Sequence, residues 1–142
     1  MGHVRVYLPL SPERCRELHT GRRVSGPLPG FTVTESVRGL DPGGDEEGWE
    51  HAALQDAAQS CLDAGQPVIV AAVDLDRVQL DDGSATGSRI EVLGAVPLPR
   101  VAAFHVGDDV LSRGEAPEPD PESEIELSWY DTTELSHLVS LV

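Results

Sequence analysis

The chain contains no lysine and no asparagine, so all ten of its cations are arginines. It has two cysteines, Cys15 and Cys61, far apart and both inside segments that read as helices. Lacking CxxC spacing, they suggest neither a zinc site nor a dithiol redox centre, and two buried thiols are the default reading. A disulfide between them would need an oxidising setting, which nothing else in the sequence suggests. No apolar run approaches the roughly 18 to 20 residues that span a bilayer. The opening MGHVRVYLPL alternates like a strand and lacks a signal peptide's apolar block. The expectation is a soluble, unprocessed protein of the cytoplasm with no membrane partner.

Catalytic and phosphate-binding signatures are missing as well. There is no GxSxG elbow, no papain-like or caspase-like cysteine motif, no GxxxxGK[ST] and no strand followed by GxGxxG. Five histidines coexist with many carboxylates, yet none forms HxH or HExxH. Glu47 and His51, four apart on one helix, are the nearest approach to a metal pair, and a solvated helix face explains them better. The sequence calls for no metal and no cofactor, and it leans away from an enzyme.

What is present is carboxylate, unevenly placed. The formal charge is −15, yet residues 1 to 40 hold six Arg against Glu13, Glu17 and Glu35, a net +3. The remainder holds four Arg against 22 carboxylates, a net −18. Such an excess repels phosphate backbones and anionic lipid, so nucleic-acid binding is disfavoured. The usage, rich in Ala, Gly, Pro and Val, suits GC-rich coding.

At 142 residues the chain is the size of one ordinary domain, and we read residues 1–142 as a single domain. Val4, Val6 and Leu8 alternate with Arg5 and Tyr7, the pattern of a half-buried strand. Ser11-Pro12-Glu13 starts a short helix that Gly21 stops. Ser25–Gly30 reads as a loop, and Phe31–Thr34 as a short extended piece entering a helical turn at Glu35. The strongest helix begins at Asp45-Glu46-Glu47, with Trp49, Ala53, Leu54, Ala57, Ala58, Cys61 and Leu62 as its inner side. Val68–Val73 is continuously apolar and predicts a central strand, joined to the first by a right-handed crossover and parallel to it. Residues 81–88 form an exposed turn, and Arg89–Val96 and Val101–Val106 are further strands. Residues 107–123 form a mobile acidic, proline-rich loop containing the start of APEPDPESE. Ile125, Leu127 and Trp129 then alternate against Glu126, Ser128 and Tyr130. Asp131-Thr132-Thr133-Glu134 resembles a capping box that opens a last helix. The sum is α+β, a two-layer sandwich with a mixed sheet of about four or five strands and helices mainly on one face.

VRVYLP (4–9), FTVTESVR (31–38), DEEGWEHAALQDAAQSCL (45–62), VIVAAVDL (68–75), VPLPRVAAFHVGD (96–108) and LSWYDTTEL (127–135) together resemble a small actinobacterial family known only as a domain of unknown function. The resemblance spans nearly the whole chain. It implies a small acidic bacterial protein and brings no activity with it.

Two surfaces are candidates for function. If Val4, Val6, Leu8 and Ile125, Leu127, Trp129 face the core, then Arg5, Tyr7, Glu126, Ser128 and Tyr130 share an open sheet face with His105 nearby. Arg5 and Tyr7 would there hold a small anion, with His105 or Glu126 moving a proton. The plainer reading of that face is a solvated Arg5–Glu126 ion pair. The second surface is the basic patch Arg14, Arg16, Arg22 and Arg23, which contacts an acidic partner or pairs with the chain's own acidic segments. Function cannot be read from the sequence. The leading expectation is a non-enzymatic interaction or regulatory protein with a protein partner. The alternative is a small-molecule binder or enzyme on the open face. Mimicry of nucleic acid by the carboxylates of 41–50 and 115–126, or a homodimer through an exposed edge strand, are further options.

Overall fold

The computed structural model describes residues 3–81, 87–111 and 124–142. In chain order its elements begin with β1 (Val4–Pro9), α1 (Pro12–Gly21), β2 (Arg23–Ser25), β3 (Leu28–Thr32), α2 (Glu35–Leu40) and α3 (Glu46–Asp63). There follow β4 (Ile69–Leu75), β5 (Leu80–Asp81), β6 (Arg89–Val92), β7 (Ala95–Pro97), β8 (Val101–Gly107), α4 (Asp108–Leu111), β9 (Leu127–Tyr130) and α5 (Leu135–Ser140).

The helices start where the sequence marks them. Ser11, Thr34 and Asp45 each cap a helix by accepting a hydrogen bond from a main-chain N–H three residues on. Asp131 and Glu134 form the expected capping box, here opening a 3-10 turn that runs into α5. Arg22, at φ 62°, ends α1 in the left-handed region.

The main sheet has seven strands in the order β5-β6-β3-β1-β4-β8-β9, with every neighbouring pair antiparallel. This corrects the expectation of a mixed sheet of four or five strands. It also corrects the parallel crossover, because β1 and β4 pair antiparallel from Val4↔Leu75 to Pro9↔Val70. β3 intervenes in the chain and runs antiparallel to β1, so β3 and β4 flank β1 parallel to each other, and the crossover through α2 and α3 joins that pair instead of β1 and β4. Arg89–Val96 is not one strand. Gly94, at φ 75°, turns the chain, and β7 leaves the main sheet to pair with β2 in a two-stranded ribbon.

β4 is buried along its length except at Asp74, and its side chains feed two separate cores. Ile69, Ala71, Val73 and Leu75 join Val6, Leu8 and Phe104 beneath α1 and α5. Val68, Val70 and Ala72 join Tyr7, Phe31 and the Ala53, Ala57, Ala58 and Cys61 face of α3. The small side chains let α3 lie close on the sheet. Helices therefore cover both faces, in place of the expected two layers with helices mainly on one. Trp49 is not part of the α3 core side. It lies half-buried at the helix start, its Nε1 donating to Asp41 O at 3.0 Å.

Side-chain clamps fix the end of the sheet near β8 and β9. Gln55 of α3 brackets Ile125, donating to its carbonyl at 2.9 Å and accepting from its N–H at 2.8 Å. Asp109 accepts from Val68 N at 3.1 Å, and Gly107 N donates to Val68 O at 2.9 Å. Of the predicted 107–123 loop, residues 107–111 are instead the end of β8 and α4, and the remainder lies outside the described residues. The predicted 81–88 turn likewise falls mostly outside them.

Gly26 shows how tightly the ribbon meets the main sheet. Its N–H donates to Gly94 O at 2.7 Å, and a Cβ added there would lie 2.6 Å from Val92 O. Both obstructions are main chain and cannot rotate away. Gly26→Ala is expected to destabilise by about 1–3 kcal/mol, the usual cost of forcing atoms into filled space. Gly21→Ala, with nothing within 4 Å of the added carbon, should cost nothing. Urea denaturation midpoints of the two variants check the contrast.

Candidate functional site

Strand alternation carries Arg5 and Tyr7 to the α3 side of the sheet. Opposite Arg5 in the β1–β4 register stands Asp74, the one carboxylate interrupting the apolar run of β4. Arg5 Nε donates to Asp74 Oδ1 at 2.8 Å and Nη2 to Oδ2 at 3.2 Å, a forked pair. The partner is Asp74, not the Glu126 that the sequence suggested. Both side chains are more than a third exposed, 37% and 39%, so the pair orients Arg5 more than it stabilises the fold.

Tyr7 is 6% exposed, walled in by Phe31 and the alanine face of α3. His105, half-buried on β8, meets it edge-on with ring centroids 6.3 Å apart and planes at 69°. Burial pushes the Tyr7 phenol up, reinforced by the charge of Glu50. Burial pulls the His105 imidazole below its ordinary value, and the Arg5 guanidinium pulls it further. The hydrogen bond to Asp74 raises Arg5 above its ordinary value. At neutral pH this cluster holds a neutral imidazole, a protonated phenol and a closed ion pair.

The expected open face does not form. The Phe104↔Tyr130 and His105↔Trp129 register puts Tyr130 beside Phe104, packed against the α1/α5 core and across the sheet from Tyr7. Ile125 and Leu127 pack with Tyr7, not with Val4, Val6 and Leu8. The assumption that all three apolar sets share one core was wrong because the sheet has two. Of the five proposed residues, Arg5, Tyr7 and His105 are together. Tyr130 is on the far face, and exposed Glu126 precedes β9 without a hydrogen bond or ion pair to any described residue.

Beyond Arg5 and Asp74 the cluster opens into a groove at the end of the sheet. It has two lobes of about 580 and 360 Å³ that share Val4, Thr32, Val33, Arg38 and Arg77 as walls. Arg38 lies 5.5 Å over the Trp49 ring and 3.6 Å from Glu46. Sequence reasoning missed Arg38, Arg77 and Asp74. Only Asp74 left a signal, as a carboxylate within a buried strand.

The basic patch is split. Arg14 is occupied, donating to Glu17 at 3.2 Å and to Ser25 O at 3.3 Å. Arg16, Arg22 and Arg23 are exposed and pair with no described residue. His51, the candidate metal ligand, lies 3.0 Å from Glu124 instead, and among the described residues no three His, Cys, Asp or Glu side chains gather as a metal site would need. Cys15 and Cys61 are free and buried, their thiols pushed up to about 12 and about 11, mainly by burial, which leaves them protonated and unreactive at neutral pH. Among the described residues no helix is long and apolar enough to cross a membrane.

The His105 shift has a defined sign. Its folded pKa lies below the unfolded value of about 6.5, so the unfolded chain takes up the proton first on acidification. Its contribution to stability is therefore full above that pH and is lost as pH falls below it. In an NMR titration His105 should protonate below the ordinary histidine range, and Arg5→Gln should raise its pKa without fully restoring it, because burial is the larger cause. An ordinary pKa in the parent protein would contradict the packing described.

No curated protein and no solved structure matches the chain. A family model described as a family of unknown function, DUF6912, matches residues 4–139, from the first strand into the last helix. The match includes β1, the groove, the Tyr7–His105 cluster and the unpaired arginines alike, and the chain belongs to this family of unknown function.

Proposed function

We propose that this protein is a non-enzymatic interaction protein whose docking surface is the arginine patch at the end of α1 and the start of β2. The observation behind this reading is that Arg16, Arg22 and Arg23 are exposed and pair with no described residue, in a chain rich in carboxylates. The acidic outer side of α3, with Glu46, Glu47, Glu50 and Asp63, is on the other side of the sheet from α1. A helix is about 10 Å across, so the two charged surfaces are roughly 20 Å or more apart, against a Debye length of about 8 Å at physiological salt. The acidic surface therefore neither neutralises the patch nor screens it from a partner.

The patch is also held in place. Arg22 O accepts from Leu98 N at 2.9 Å, and Val24, between Arg23 and Ser25, is 1% exposed. Arg16 on α1, Arg22 at its cap and Arg23 at the start of the ribbon together suit the carboxylates of an acidic protein surface, with Arg supplying forked hydrogen bonds. A nucleic acid fits less well, because the net charge of −15 opposes a long polyanion that reaches beyond the patch. The small-molecule reading by way of an open sheet face loses its surface, since α3 covers Tyr7. Buried, free Cys15 and Cys61 favour a reducing compartment such as the cytoplasm.

The test is affinity capture from native host lysate with the parent chain, the triple reversal Arg16→Glu, Arg22→Glu, Arg23→Glu, and a control carrying Glu47→Gln and Asp63→Asn. The expected outcome is a stoichiometric protein released by raised salt, weakened about tenfold or more by the reversal and retained by the control. A protein captured equally by the reversal variant, or none captured, would reject this surface. Concentration-dependent sedimentation of the pure chain separates self-association from a foreign partner.

A further inference from the structure

The groove at the end of the sheet exists because two strands part. β1 stays paired with β4 out to Val4↔Leu75, whereas its pairing with β3 is Val6↔Thr32 and Tyr7↔Phe31. Past Thr32 the chain leaves toward α2. It is held there by Thr34 Oγ1 donating to Gly87 O at 2.6 Å and by Ser36 Oγ accepting from Gly87 N at 2.8 Å. The main chain of Val33 thus borders an opening instead of a ladder, and Arg5 O, on the facing edge of β1, accepts from Thr32 Oγ1 at 2.7 Å in place of a β3 N–H. Each lobe, at about 580 and 360 Å³, is within the usual range for small-molecule sites.

Three guanidiniums line the groove, in different states. Arg5 is closed onto Asp74, and Arg38 is engaged by Trp49 and Glu46. Arg77, in the 3-10 turn directly after β4, borders both lobes, is exposed, and pairs with no described residue. Glu35 borders the larger lobe, likewise without a partner among the described residues, and Glu50 borders the smaller. With Glu46 and Asp74 counted, four carboxylates face three arginines. A dianion such as phosphate would find one open cation within an excess of negative charge, and a simple amine would have to approach Arg77. A molecule carrying one charge of each sign satisfies both.

We infer that the groove binds a small zwitterion of the amino-acid or dipeptide type, its carboxylate paired with Arg77 and its ammonium directed to Glu35 or Glu50. The unladdered main chain of Val33 supplies a donor and an acceptor for the amide of a dipeptide, as a sheet edge does for an extended peptide. This site is distinct from the arginine patch at α1, and either stands if the other fails.

The experiment is an amide NMR titration of the full chain with a set of L-amino acids and with glycyl and alanyl dipeptides. Acetate, n-butylamine and inorganic phosphate serve as single-sign controls. A saturable shift at Val33, Thr34 and Arg77 with at least one zwitterion is expected, at an affinity at least tenfold above every control. Arg77→Gln, an exposed substitution that leaves the spectrum dispersed, should weaken it about tenfold, the effect of one lost charge-assisted pair. No saturable shift with any zwitterion overturns the inference. So does phosphate or acetate binding as well, or Arg77→Gln binding unchanged.

Discussion

β4 is the strand on which the architecture depends, because it is buried on both faces and each face belongs to a different core. A strand with both faces covered must be apolar at nearly every position, and Ile69–Leu75 is apolar except at Asp74. Its neighbours inherit the division. β1 gives Val6 and Leu8 to one core and Tyr7 to the other, and β8 gives Phe104 and Val106 to the first while turning His105 toward Tyr7. Asp74 is tolerated because it sits at the strand's open end, where Arg5 meets it across the register and water reaches both.

Much of the local structure was legible in the residues. The long helix, the first strand, the capping box and the buried strand each carry a signal within a few neighbouring positions, and each appears close to where that signal placed it. The global arrangement was not legible. Alternation says that Val4, Val6 and Leu8 face opposite to Tyr7, but not which side a given helix will cover. Both sides are apolar enough to take one, since Tyr7 buries its ring where a surface tyrosine was expected. The three-residue strands β2 and β7 are too short to show periodicity, and the Gly94 turn between β6 and β7 is only one glycine among fourteen.

The groove shows the same limit more sharply. Its walls come from the start of β1, the end of β3, the start of α2 and the turn after β4. No motif spans those separations, and the opening comes from a departure of register at Thr32 that the composition of β3 does not announce. Charge was partly legible. The basic character of the first forty residues was visible, but pairing of Arg16, Arg22 and Arg23 with the chain's own acidic segments was the natural expectation. A sheet interposed between α1 and α3 prevents them from meeting the acid of α3.

The two clamps at the β8–β9 end have a consequence for how the chain tolerates change in length. Asp109 is tied to the start of β4, and Ile125 is bracketed by Gln55 on α3, so both ends of the intervening segment are anchored to elements that do not depend on it. Closing a longer connection between fixed ends costs only about 0.6 kcal/mol for each doubling. β9 thus takes its register from β8 and its entry from α3, neither of which is set by the length of chain that joins Leu111 to Glu124.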